Sequence, residues 1–259
     1  MTSPTPSEPR TGHKLYHGAA LTPALAWAVV ALSVASIYAM QIGLVAAGVT
    51  EIVAAVIGYL PVIGTLVLIA ARGRRRALGL AWPRRARFLV AAVLVGCAAW
   101  YVNLVVVEWL MPDADTRTLE RIVEQTPLVP TLLAIAVAPA IAEELLFRGV
   151  LARALARFDR GGRFTIAIVL SSALFGLYHL APVQMLPTFM LGLALAYLSL
   201  RADSVVPAMI AHGLNNTIAI VISREEIPGV ASWVGAHPVA MLGGALVCVG
   251  AGLAVAATA

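Results

Sequence analysis

The chain has 259 residues, of which 61% are hydrophobic and only 12% charged, with a mean hydropathy of +0.91. A soluble domain carries roughly 25% charged residues and could not cover its surface with half that share, so the soluble enzyme classes are excluded and the chain reads as an integral membrane protein. The net charge of +5 does not signal nucleic acid, because the arginines sit between apolar runs, where they act as topology signals.

Residues 1–18 are polar, with Pro4, Pro6 and Pro9, and are expected to form a disordered cytoplasmic tail. The apolar run that follows is too long for a signal-peptide core and lacks a clear small-residue cleavage site. A spanning helix needs about 20 mostly apolar residues. Eight candidate spans follow, at about 22–47, 51–71, 88–110, 129–151, 164–181, 183–200, 205–222 and 238–258. The expected fold is therefore all-α, a polytopic membrane helix bundle of about eight transmembrane helices, with residues 19–259 as one domain. No internal repeat is evident, which weighs against an inverted-repeat transporter.

Lysine and arginine sort onto alternate loops. The tail holds Arg10 and Lys14, the 72–87 loop seven arginines, the 152–163 loop four and the 201–204 turn Arg201; the opposite side has Arg117, Arg121 and Arg224. Fourteen against three predicts both termini in the cytoplasm. The membrane is then a plasma or inner membrane. The outer loop 111–128 carries Leu119, Ile122 and Val123 at rough helical spacing. It reads either as a short interfacial helix or as a solvated connector. Cys97 and Cys248 lie inside apolar stretches, which excludes a disulfide framework and a four-thiolate zinc site, and they read as small core residues.

Ionisable groups inside apolar spans are costly and mark function. Three clusters stand out. In the fourth span, Glu144 and Arg148 are i and i+4 and share a helix face, acid before base. Glu143 points elsewhere, free to act as a base, whereas two adjacent unpaired carboxylates would push one pKa up. The bland alternative is an interfacial salt bridge with Glu143 reaching to water. In the fifth span stands His179, which alone reads as a satisfied core histidine. Glu143 lies 18 residues before Gly161 and His179 lies 18 after it, so an antiparallel hairpin brings the two to one depth. In the seventh span, His212 and Asn216 are i and i+4, stacked about 6 Å apart; alone they read as helix–helix glue. Asn215 lies off that face and bonds locally. Asn103, Glu108 and Gln184 are unassigned polar groups, and Ser171 and Ser172 read as helix-packing residues. His13, His17 and His237 lie outside the spans.

Glu-Glu-x-x-x-Arg at 143–148, Phe-x-x-x-His at 175–179 and His-x-x-x-Asn at 212–216 resemble, in order and spacing, the motifs of the CAAX protease and bacteriocin-processing family of Rce1-like intramembrane endopeptidases. The resemblance covers about residues 129–222, the motif-bearing core of the domain. It implies hydrolysis of a peptide bond near the C-terminus of a membrane-associated protein or peptide, with a prenylated C-terminus as the best-known target, the lipid bilayer as surroundings and no nucleic acid. It implies that Glu143 and His179 activate water, that His212 and Asn216 stabilise the oxyanion, and that Glu144 and Arg148 hold the site in shape. Amide hydrolysis needs such a base and such donors. Metal involvement stays open. Glu143, His179 and His212 form an acceptable zinc set, but the His-Glu-x-x-His helix is absent, and a metal-free glutamate mechanism is the expectation. The rival readings are a proton-coupled membrane transporter and a non-catalytic scaffold or immunity protein on the same fold.

Overall fold

The computed structural model describes residues 21–113, 117–159 and 164–258. The expected tail 1–18 and the Arg160-Gly161-Gly162 turn lie outside the described residues. Every regular element among those described is helical. Three long helices come first: α1 (Pro23–Ala46), α2 (Glu51–Ile69, prolonged by a π turn at Ala70–Arg74) and α3 (Arg87–Leu110). A short helix α4 (Arg117–Gln125) lies in the loop 111–128, which is thus partly helical. Val123 is buried against Ala136 and Ile220, and Arg224 donates to the carbonyls of Val123 and Thr126.

The fourth span departs from expectation. In place of a plain helix over 129–151, a broken helical run extends from Leu128 to Phe158. It comprises α5 (Leu128–Leu132), a π segment (Leu133–Val137), α6 (Ala138–Glu143), a second π segment (Glu144–Ala152), α7 (Arg153–Leu155) and a closing 3-10 turn. The run continues past the expected end to a buried Arg153. Its guanidinium bonds the carbonyls of Ala77 and Arg76 and the carboxylate of Asp203, which pins the arginine-rich loop to the end of the run.

The rest is α8 (Thr165–Tyr178), α9 (Pro182–Ala202), α10 (Val206–Ser223), α11 (Val230–Ala236) and α12 (Pro238–Ala257). Seven of the described helices are long and apolar enough to cross a membrane. The eighth expected span, 164–181, is helical only over the 14 residues of α8, about 21 Å at 1.5 Å per residue. Both carboxylate oxygens of Asp159 accept from the α8 backbone, at Ile166 and Ala167 N–H (2.8 and 2.9 Å). Orphan donors at a helix start are thereby satisfied.

Large apolar side chains cover the exterior, among them Leu32, Trp109 and Val239, as a lipid-facing surface requires. Buried residues make up 56% of the best apolar window in the broken run, against 11% in α1 and 17% in α12. The polar motif is therefore central and the apolar helices peripheral. Small residues let the helices close up. A Cβ on Gly96 in α3 would lie 2.6 Å from the Ala211 carbonyl of α10, and one on Gly176 in α8 2.6 Å from the Met185 carbonyl of α9. Close backbone approach of this kind supplies packing where lipid offers no hydrophobic drive. Cys97, expected in the core, is exposed on α3.

Candidate active site

Pro139 shapes the first part of the site. It has no N–H for the carbonyl four residues back and its ring crowds that carbonyl, which belongs to Ile135. The backbone there is the π segment Leu133–Val137, a form of helix that leaves the regular ladder. Asn216 of α10 donates Nδ2–H to the Ile135 carbonyl at 2.8 Å, and its own Oδ1 accepts from Asn215 Nδ2 at 3.0 Å. Asn215 bonds locally, as expected, but its partner is the neighbouring motif residue. One amide hydrogen of Asn216 is thus held by backbone, and the other is not engaged in any hydrogen bond with the described residues.

The adjacent carboxylates have different surroundings. Glu144 Oε1 accepts from Arg148 Nη1 at 2.9 Å and lies 3.0 Å from His212 Nδ1. All three side chains are buried. The i, i+4 pair forms even though Glu144–Ala152 is π-helical and not the α-helix that the spacing assumed. Arg148 also bonds the Gly192 carbonyl at 3.3 Å and stacks 4.2 Å from the centre of the Phe175 ring. A Cβ on Gly192 would meet Arg148 Nη2 and Phe175 at 3.2 Å and Ser172 at 3.1 Å, so any side chain there presses on the guanidinium and its neighbours.

Glu143 is also buried, 2% exposed, and turns toward α2, where Tyr59 Oη donates to Oε1 at 2.7 Å. Its Oε2 makes no hydrogen bond among the described residues. Glu143 is the sixteenth of 31 residues in the broken run, its midpoint and not one of its ends.

His179 closes α8. Its Nδ1 lies 2.9 Å from the Phe175 carbonyl. A carbonyl only accepts, so Nδ1 carries the proton and the neutral ring keeps its lone pair on Nε2. Phe147 of the broken run packs edge-on against Phe175 at 5.2 Å, and these residues stand fourteen positions either side of Gly161. That is the register expected to bring Glu143 and His179 to one depth. Between them lies Tyr178, whose ring is 5.2 Å from His179 and whose hydroxyl is 3.2 Å from that of Tyr59. Phe175 serves as a hub: its ring contacts Arg148, His179 and His212.

Several groups named from the sequence stay apart. Glu108 is exposed and Asn103 half-buried on α3, and neither side chain hydrogen-bonds into the cluster. Ser171 and Ser172 turn their hydroxyls back to the Ile168 carbonyl. His237 bonds the Trp233 carbonyl near the start of α12. Tyr59, Tyr178 and the role of Phe175 were missed. Phe175 stood inside a quoted motif, whereas Tyr59 lies 84 residues from its partner with no local signal.

No three His, Cys, Asp or Glu side chains are grouped to hold a metal ion among the described residues. Glu143, His179 and His212 are not brought together in any such group and so, as placed, do not make a zinc site. The metalloprotease label has no support in this donor set.

Residues 125–218 match the family model described as Type II CAAX prenyl endopeptidase Rce1-like. The motif-bearing segment is thus similar to that family, and all three motifs fall within the match. No curated protein and no solved structure matches the chain.

Proposed function

We propose that the chain is an intramembrane endopeptidase that cleaves a peptide bond near the C-terminus of a membrane-associated protein or peptide. One observation carries the reading. Of two adjacent buried carboxylates, each with Oε2 free of hydrogen bonds among the described residues, Glu144 is neutralised by Arg148 and bonded to His212 through Oε1, while Glu143 faces the Tyr59 hydroxyl and no cation. A carboxylate arranged this way is a base, and its neighbour is a brace.

In the proposed reaction Glu143, assisted by Nε2 of His179, takes a proton from water as the oxygen attacks the scissile carbonyl carbon. The carbonyl π pair moves to oxygen. His212 donates to that oxyanion from Nε2 while Nδ1–H stays on Glu144, which requires the doubly protonated ring. Asn216 contributes its unengaged amide hydrogen. The tetrahedral adduct collapses, the C–N bond breaks, and the proton taken from water passes to the leaving nitrogen. A carboxylic acid and an amine result.

Buried Glu144, Arg148 and His212 are joined by hydrogen bonds with Glu143 next in sequence, while buried Arg153 lies apart at the end of the run. That favours hydrolysis over a proton-coupled transporter, which needs such groups along a path. The test is cleavage of a C-terminal peptide library, with and without a prenyl group, by purified protein in detergent. Glu143→Gln should lower kcat at least a hundredfold with unfolding temperature unchanged. An unchanged phenotype would instead identify a scaffold. Arms with chelator and with added zinc measure metal dependence directly. The lysine and arginine asymmetry supports cytoplasmic termini in a plasma or inner membrane, which protease accessibility of the termini in sealed vesicles tests.

A further inference from the structure

The matched segment begins at residue 125, yet hydrogen bonds from α1 and α2 reach Glu143 and the peptide that leads into His179, beside the His179–Phe175 bond within α8. Tyr59 of α2 is buried and donates to Glu143 Oε1 at 2.7 Å. A carboxylate only accepts, so the hydroxyl hydrogen of Tyr59 points at Glu143, and Tyr178 must then donate to the Tyr59 oxygen across the 3.2 Å between them. Tyr38 of α1 donates to the Tyr178 carbonyl at 2.7 Å. That carbonyl lies in the last turn of α8, where helix acceptors lack intrahelical partners, and it belongs to the peptide unit that leads into His179. The backbone needs such a hold at this point, because Leu180 turns into the left-handed region at φ +56°.

We infer that Tyr59 and Tyr38 are positioning residues for Glu143 and His179, so that two helices outside the Rce1-like segment complete the site. Tyr59 anchors one carboxylate oxygen and thereby sets the direction of the other. Tyr38 sets the peptide plane from which the imidazole hangs. Tyr178 joins the two arms, and linked hydroxyls of this kind polarise one another in a low-dielectric interior. The inference rests on Glu143 and His179 being the acid–base pair.

Tyr59→Phe and Tyr38→Phe keep the rings and remove only the hydroxyls, and the full chain in detergent is the sample. Tyr59→Phe is expected to lower kcat by about tenfold or more, the value of a hydrogen bond to a charged group, with KM within about twofold. Tyr38→Phe should lower kcat by a smaller factor in the same way. The second readout needs no substrate. The carboxylate stretch assigned to Glu143 by subtracting the Glu143→Gln infrared spectrum should shift in Tyr59→Phe and stay in place in Tyr38→Phe. Equal kcat in wild type and Tyr59→Phe with an unshifted band would overturn the inference. So would a fall in activity matched by an equal loss of folded protein. If Glu143→Gln itself retains activity, the base assignment has failed, which is distinct from Tyr59→Phe alone being silent.

Discussion

Replacing Arg148 with methionine keeps an unbranched stem but removes the guanidinium and its charge. In the wild-type chain Arg148 and Glu144 are both fully buried and 2.9 Å apart, and His212 is the other group bonded to the carboxylate. The substitution leaves a buried carboxylate without its main counter-charge, a loss of about 3–5 kcal/mol. It also removes the bond to the Gly192 carbonyl and the stack on Phe175. For a chain of this length each kcal/mol moves the unfolding temperature by about 2–4 °C, so Arg148→Met should unfold on the order of 10 °C below wild type. Tryptophan fluorescence during a thermal ramp in mild detergent reads this directly. Glu144→Gln combined with Arg148→Met removes both charges and should regain at least half of the deficit, because what destabilises is the unpaired ion. An unfolding temperature within 2 °C of wild type for the single variant, or a double variant no better than the single, would refute the buried pair as the brace of the site.

The remaining predictions concern backbone and packing. Asn216→Ala strands the Ile135 carbonyl and should cost about 1–3 kcal/mol. Adding Pro139→Ala, which restores an N–H for that carbonyl, should recover the unfolding temperature but not kcat, separating the structural duty of Asn216 from its proposed oxyanion duty. Gly176→Ala places a methyl 2.6 Å from the Met185 carbonyl and should destabilise by about 1–3 kcal/mol in the same ramp. Gly43→Ala in α1, where a Cβ meets nothing within 4 Å, should raise stability by about 0.5–1 kcal/mol. Gly192→Ala should lower kcat and stability together through Arg148, and Gly192→Ser should be worse.

Much of this could be read from residue order because the bilayer simplifies the problem. Where nearly every side chain is apolar, the few that are not advertise themselves, and hairpin symmetry about Gly161 gave the register seen in Phe147 against Phe175. The i, i+4 rule survived for Glu144 and Arg148 despite the wrong helix type. Two kinds of information were hidden. A π segment has no residue signature beyond a nearby proline, so neither Leu133–Val137 nor Glu144–Ala152 could be foreseen. Contacts made by residues that are ordinary in an apolar helix are equally silent: Tyr38 and Tyr59 acquire meaning only from what stands opposite. Arg153 misled in the other direction. It was counted as a loop cation, and its partners, two carbonyls near residue 77 and a turn aspartate, are not local.

The way charge is arranged in the run Leu128–Phe158 bears on how the nascent chain enters the bilayer. A charged residue at the centre of an inserting helix costs about 2.5–3.5 kcal/mol, and three in one segment would tend to stall it at the translocon. Glu144 and Arg148 neutralise each other within one turn, before any other helix is needed. Glu143 has no such local relief, but Tyr59 belongs to a helix synthesised earlier. Biogenesis therefore meets each buried charge with a companion that is either on the same segment or waiting for it, while the histidine of α10 docks only after translation has moved on.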